Sequence, residues 1–134
     1  MTLDCRLSDL QIAVMRVLWK RGEATVNEVH EDLLDERGLA PTTVATVLSR
    51  LEKRGLLSHH TAGRQFVYRP LATEEQIRIS MVEELTELLF EGDVSEMVSH
   101  LLSAKEISPG DLARVKSLIE EREKTDPGAP DEPD

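Results

Sequence analysis

Apolar residues recur at helical spacing along most of this chain, and the breaks between runs carry glycine, proline or a capping hydroxyl. Leu10, Val14 and Leu18, with Ile12, Met15 and Trp19 beside them, predict a first helix over residues 8–21. Ser8 and Gln11 occupy the two positions of a capping box, and Gly22 ends the run. Thr25 and Glu28 repeat that box for a second helix with the stripe Val26, Val29, Leu33 and Leu34, and Gly38 stands where a left-handed stop belongs. Pro41 suits the first turn of a third helix, where its missing N–H costs nothing. Val44, Val47, Leu48 and Leu51 form its inward stripe, and Gly55 stops it. Residues 56–61 and 65–69 are strand-like runs around Ala62-Gly63-Arg64, and Pro70 closes the pairing. Three helices and a terminal hairpin make a winged helix-turn-helix domain.

The pattern then changes. Thr73 and Gln76 cap a long helix over residues 74–90, with Ile77, Met81, Leu85, Leu88 and Leu89 recurring, and Gly92 breaks it. A helix over 94–104 carries Met97, Val98, Leu101 and Leu102. Ser108-Pro109-Gly110-Asp111 starts a last helix with Leu112, Val115, Leu118 and Ile119, which frays into residues 120–123. From residue 125 the chain is mostly Asp, Pro, Gly and Glu, a composition expected to be disordered. The expected fold is mainly α: a winged helix-turn-helix DNA-binding domain over 1–71, a three-helix dimerisation region over 72–124, and a tail over 125–134. Short amphipathic helices cannot close a core alone, so their stripes call for a second copy of the chain.

Composition supports helices, since aromatics are only 3% and aliphatic side chains must fill the core. Charge divides the chain. The formal net charge is −10, yet residues 1–70 hold ten Lys/Arg against nine Asp/Glu, while residues 71–134 hold six against seventeen. Within 42–69 there are five basic residues, Arg50, Lys53, Arg54, Arg64 and Arg69, against the single acid Glu52. An acidic half repels a phosphate backbone, and a basic helix followed by a basic hairpin is suited to one. The outward face of the third helix is small and polar at Thr42, Thr43, Ala45, Thr46 and Ser49, then basic at Arg50, Lys53 and Arg54. Thr42, Thr43 and Thr46 can meet phosphate or base edges, or can simply cap and solvate a surface helix. Arg50 can contact DNA or pair with an acid of the second helix. Lys53 and Arg54 can meet phosphate or complement the helix dipole. Arg64 at the hairpin tip is the natural wing contact. Tyr68 and Trp19, each the single residue of its kind, are expected to pack.

Other chemistries find little support. His59 and His60 are adjacent in a strand and face opposite ways, and no metal-ligand spacing stands out. No nucleophile–base order, paired-carboxylate spacing or Gly-rich phosphate loop is present, so neither an enzyme nor a cofactor is expected. No apolar run nears the roughly 20 residues that span a bilayer, and the N-terminus lacks a signal-peptide layout. With Cys5 the single cysteine, a reducing, cytoplasmic setting is expected.

Several stretches together resemble the penicillinase repressors of BlaI/MecI type. They are Leu7-Ser8-Asp9-Leu10-Gln11 before Val14-Met15-Arg16-Val17-Leu18-Trp19, then Ala24-Thr25-Val26-Asn27-Glu28-Val29, then residues 41–51, and Gly63-Arg64-Gln65-Phe66-Val67-Tyr68. The resemblance runs from Leu7 to Glu123. It implies a homodimeric winged-helix repressor that binds a dyad of double-stranded operator DNA, with dimer contacts from the C-terminal helices. It also implies induction by a membrane sensor with a metalloprotease domain, which cuts the C-terminal part, by position near His100-Leu101. Some relatives have Asn-Phe there. Some also have Arg in place of Ala45, which offers only a methyl contact, for instance to thymine. The copper-sensing branch carries C-terminal cysteines that are absent here. Two rivals stay open: the same repressor induced by a small molecule or by redox change at Cys5, and a winged-helix protein-interaction module.

Overall fold

The computed structural model describes residues 6–104 and 107–125; Cys5 and the tail beyond Thr125 lie outside the described residues. In chain order the elements are α1 (Asp9–Arg21), β1 (Ala24–Thr25), α2 (Val26–Arg37), α3 (Pro41–Lys53), β2 (Leu57–Ala62), β3 (Gln65–Pro70), α4 (Glu74–Phe90), α5 (Val94–Ala104) and α6 (Pro109–Thr125). Two compact units result, Met1–Gly92 and Asp93–Asp134.

The first unit, the head, is a winged helix. Ser8, Thr25 and Thr73 each accept from the amide three residues on, and Gln11, Glu28 and Gln76 return the bond, so three helices start on complete capping boxes. The sheet has the order β1-β3-β2, all antiparallel, with Leu57 opposite Pro70 and Ala62 opposite Gln65. The short β1 adds to the free edge of β3, Ala24 opposite Tyr68. Two residues carry no periodicity, which is why this strand does not announce itself in sequence.

The core is aliphatic. Val14, Met15, Leu18, Val29, Val44, Leu48, Leu51 and Leu56 are all 0% exposed. Trp19 packs against this core and donates its indole N–H to the Ala72 carbonyl at 2.9 Å. Tyr68 is buried, as expected of a packing residue. Leu34 departs from the expected stripe: one residue on from buried Leu33, it is turned out to solvent. Ala72 and Ile77 are core residues too, and the unit runs on through the whole of α4 to Gly92. Farther along α4, Leu88 and Leu89 are 61% and 64% exposed. The second unit, α5 and α6, leaves Leu101, Leu102, Leu112, Leu118 and Ile119 exposed.

Candidate nucleic-acid interface

The third helix owes its orientation to a strong division of its two faces. Val44, Leu48 and Leu51 are buried in the core, and Val47 packs beside them. Thr42, Thr43, Thr46, Ser49, Arg50 and Lys53 are thereby held on the exposed side, with Ala45 half-buried. The helix opens on Ala40 with Pro41 in its first turn and has no side-chain cap, leaving the first turn open to an anion. It closes sharply. Gly55 (φ +82°) donates to the Glu52 carbonyl at 2.9 Å, and Leu56 donates to Leu51 at 3.1 Å, the crossed pair of a Schellman motif. Only a residue at ease in the left-handed region fits there, and the turn sends the chain straight from α3 into the wing.

The wing is the β2–β3 hairpin with a two-residue turn, Gly63-Arg64. Gly63 has φ +64°, which allows the tight reversal, and Arg64 is carried at the exposed tip. Between wing and helix lies a cleft of about 510 Å³, with Ala45 and Ser49 of α3 on one wall, Arg64 and Phe66 on another, and Asn27 at the start of α2 closing it.

The expected contact residues are not alike in their surroundings. The side chains of Arg50, Lys53 and Arg64 make no hydrogen bond or ion pair with any described residue, so the expected rival for Arg50, a salt bridge to α2, is not formed. Arg54 is engaged: its guanidinium donates to the Arg6 carbonyl at 2.8 Å and to Gln11 Oε1 at 3.4 Å, while the Arg6 side chain pairs with Glu84 of α4 at 3.3 Å. Arg54 thus ties the end of α3 to the N-terminal segment. Thr46 donates its hydroxyl to the Thr42 carbonyl at 3.0 Å, which leaves its lone pairs and its methyl for a ligand. Arg69 bonds across the hairpin, at 3.4 Å, to Ser58.

The geometry also brings in residues that sequence reasoning passed over. Glu52 on α3 receives His59 Nδ1 at 2.7 Å and 2.9 Å. The His59 ring stacks on Phe66, with centroids 4.2 Å apart. Burial, and then the Glu52 carboxylate, push the Tyr68 phenol above its ordinary range. The signal was there: Leu57 and His59 alternate on one face of β2, as Phe66 and Tyr68 do on β3, and Glu52 is the single acid of the segment. His60, one residue on, faces the other way and is exposed.

A recognition helix with unpaired cations, seated beside a basic-tipped wing, defines a winged-helix DNA-binding protein. A family model described as the penicillinase repressor matches residues 7–121. The penicillinase repressor of Bacillus licheniformis is 31% identical over 116 residues, which cover 87% of this chain and 91% of that protein. Transcriptional regulator BlaI of Mycobacterium tuberculosis is 37% identical over 111 residues, covering 81% of this chain and 80% of its own. The solution structure of the DNA-binding domain of the repressor BlaI matches with a TM-score of 0.50 and 39% identity, covering 57% of this chain and 93% of that one. The chain belongs to the penicillinase repressor family: it is a transcriptional repressor, not an enzyme. Among the described residues no helix is long and apolar enough to cross a membrane.

Proposed function

We propose that the chain is a homodimeric repressor that holds an operator dyad, placing α3 of each copy in a major groove and each wing along the backbone. The observation that carries this is the set of exposed, unpaired cations on one side of the head, Arg50 and Lys53 on α3 and Arg64 on the wing. Cations with no partner among the described residues are available to release counterions from a duplex. Thr42, Thr43, Ala45 and Thr46 then face base edges and the nearest phosphates, with Ala45 giving a methyl surface. Arg54 serves by fixing the end of the helix. A two-fold dimer reads half-sites about 34 Å apart, or a multiple of that.

The second copy is the partner that the exposed apolar faces of α4, α5 and α6 support. For release, the family resemblance supports a cut near His100-Leu101 by a membrane sensor protease, with the repressor itself cytoplasmic and not inserted in the membrane. Both residues are exposed, yet they lie inside α5. Proteases bind extended chain, so the bond becomes a substrate only when this 11-residue helix opens, which a short helix does at low cost. A low-salt footprint over the gene's own upstream region tests the proposal. It expects two protected half-sites related by a dyad, and no protection of that region would overturn it.

A further inference from the structure

Glu52 is an acid on the helix that faces DNA, and free in solution its charge would oppose phosphate. It is not free. Both carboxylate oxygens lie within 2.9 Å of His59 Nδ1, and since a carboxylate only accepts, that nitrogen carries the proton. The imidazole is in turn stacked on Phe66 at 4.2 Å and 20°, and tilted against Tyr68 at 5.5 Å. Phe66 is 47% exposed, sits opposite Thr61, and lies two residues from Arg64. The root of the wing is anchored by Leu57 and Tyr68 in the core, but residues 59–66 have no buried member. The chain Glu52–His59–Phe66 therefore runs from the last turns of α3 to the outer half of the wing.

We propose that Glu52 is a positioning residue: through His59 and Phe66 it sets the reach of the wing, so that Arg64 meets the backbone while α3 occupies the groove. The inference rests on α3 and the wing being the DNA interface. It makes a prediction opposite in sign to simple electrostatics. Removing a negative charge beside DNA should tighten binding; removing the tie should weaken it.

The test uses the full chain and a duplex of its own upstream region, with affinity read by fluorescence anisotropy. Glu52→Ala is expected to bind about three- to tenfold more weakly, the coupling typical of interacting side chains. Glu52→Gln, whose amide oxygen still accepts from His59, is expected to recover most of that loss. In an Arg64→Ala background, Glu52→Ala should change affinity by less than about twofold, because the tie acts through the wing tip. Equal or tighter binding by Glu52→Ala overturns the proposal, and so does an undiminished loss in the Arg64→Ala background. If the wild-type chain leaves the duplex unbound, the interface itself is misplaced. If it binds and only the Glu52 effects are missing, the positioning role alone falls.

Discussion

Within the head the winged helix closes on itself, whereas the C-terminal helices do not. In the head, eight aliphatic side chains from α1, α2, α3 and the start of the wing are wholly removed from water. In α6 no residue is buried, and Leu118 is 62% exposed. Both regions use leucine at helical spacing, so the difference lies in what the apolar face meets. Three helices and a sheet surround the head's core on all sides. Two helices of 11 and 17 residues can cover only part of each other's surface. Exposed apolar side chains in this number mark an interaction surface. The head is thus expected to fold by itself, and the helices beyond it to gain their stability from a partner.

The sharpest way to break this comparison is to remove one leucine from each region. Leu48→Ala empties a site with no exposure and should cost about 2–5 kcal/mol, seen as an early loss of the head's signal in urea. Leu118→Ala should leave that urea midpoint unmoved at concentrations where the chain is monomeric. Comparable losses at both positions would mean that the C-terminal helices have a closed core of their own.

Leu118→Asp sharpens the same point by function. A charge on the exposed face of α6 should shift sedimentation equilibrium from two copies to one while the head stays folded. Linked half-sites bind with an advantage of about 10²–10⁴ over separate ones, so affinity for a dyad should fall by that order, and affinity for a single half-site should not change. A dimer that survives Leu118→Asp places the contact elsewhere.

How far the sequence could be read follows the same division. Helix ends were legible to the residue where a local signal sets them: Ser8, Thr25 and Thr73 cap as their spacing with Gln11, Glu28 and Gln76 implies. The inward stripe of α3 was legible because its apolar positions all point one way. What escaped depends on groups far apart in sequence. Arg54 looked like its neighbour Lys53, yet a carbonyl 48 positions away holds it. Glu52 looked like a stray acid until the hairpin folded His59 onto it. Strand β1 is too short to carry a period, and Thr25 shows only its capping role in sequence. Leu34 follows the helical pattern but stays 47% exposed. Periodicity shows that a face is apolar, and only tertiary placement shows whether it is covered.

On the DNA side the two halves of the interface should fail differently. Arg50→Ala is expected to cost about 1–3 kcal/mol and to relax specificity if the guanidinium forks onto a base. Arg64→Ala on the wing should weaken all duplexes alike and make the salt slope shallower by about 1. Anisotropy titrations over a range of salt, on specific and scrambled duplexes, separate the two. A uniform loss for Arg50→Ala would make α3 a backbone contact like the wing.

The smallest expected effect compares a carboxylate in each region. Asp32 of α2 accepts from both Nε and an Nη of Arg21 at 2.8 and 2.9 Å, and that hydrogen-bonded pair holds its pKa below the ordinary 3.8. Asp93 is likewise held low, first by the Glu96 amide at 3.0 Å and then by the Ser95 hydroxyl. A carboxyl whose folded pKa is depressed stabilises the fold at every pH above its unfolded value and loses that contribution as pH falls through the folded one. Asp32→Asn should therefore lower the melting temperature of the head slightly at neutral pH, and the gap to wild type should close in acid below the ordinary carboxylate range. Asp93→Ala removes the amide acceptor at the start of α5. It should leave the head's melting curve unchanged at any pH, and should instead speed proteolytic cutting within α5 at neutral pH by favouring its open form. A fall in head stability with Asp93→Ala would mean that the two units melt as one, and the contrast between a closed head and an open C-terminal region would then fail.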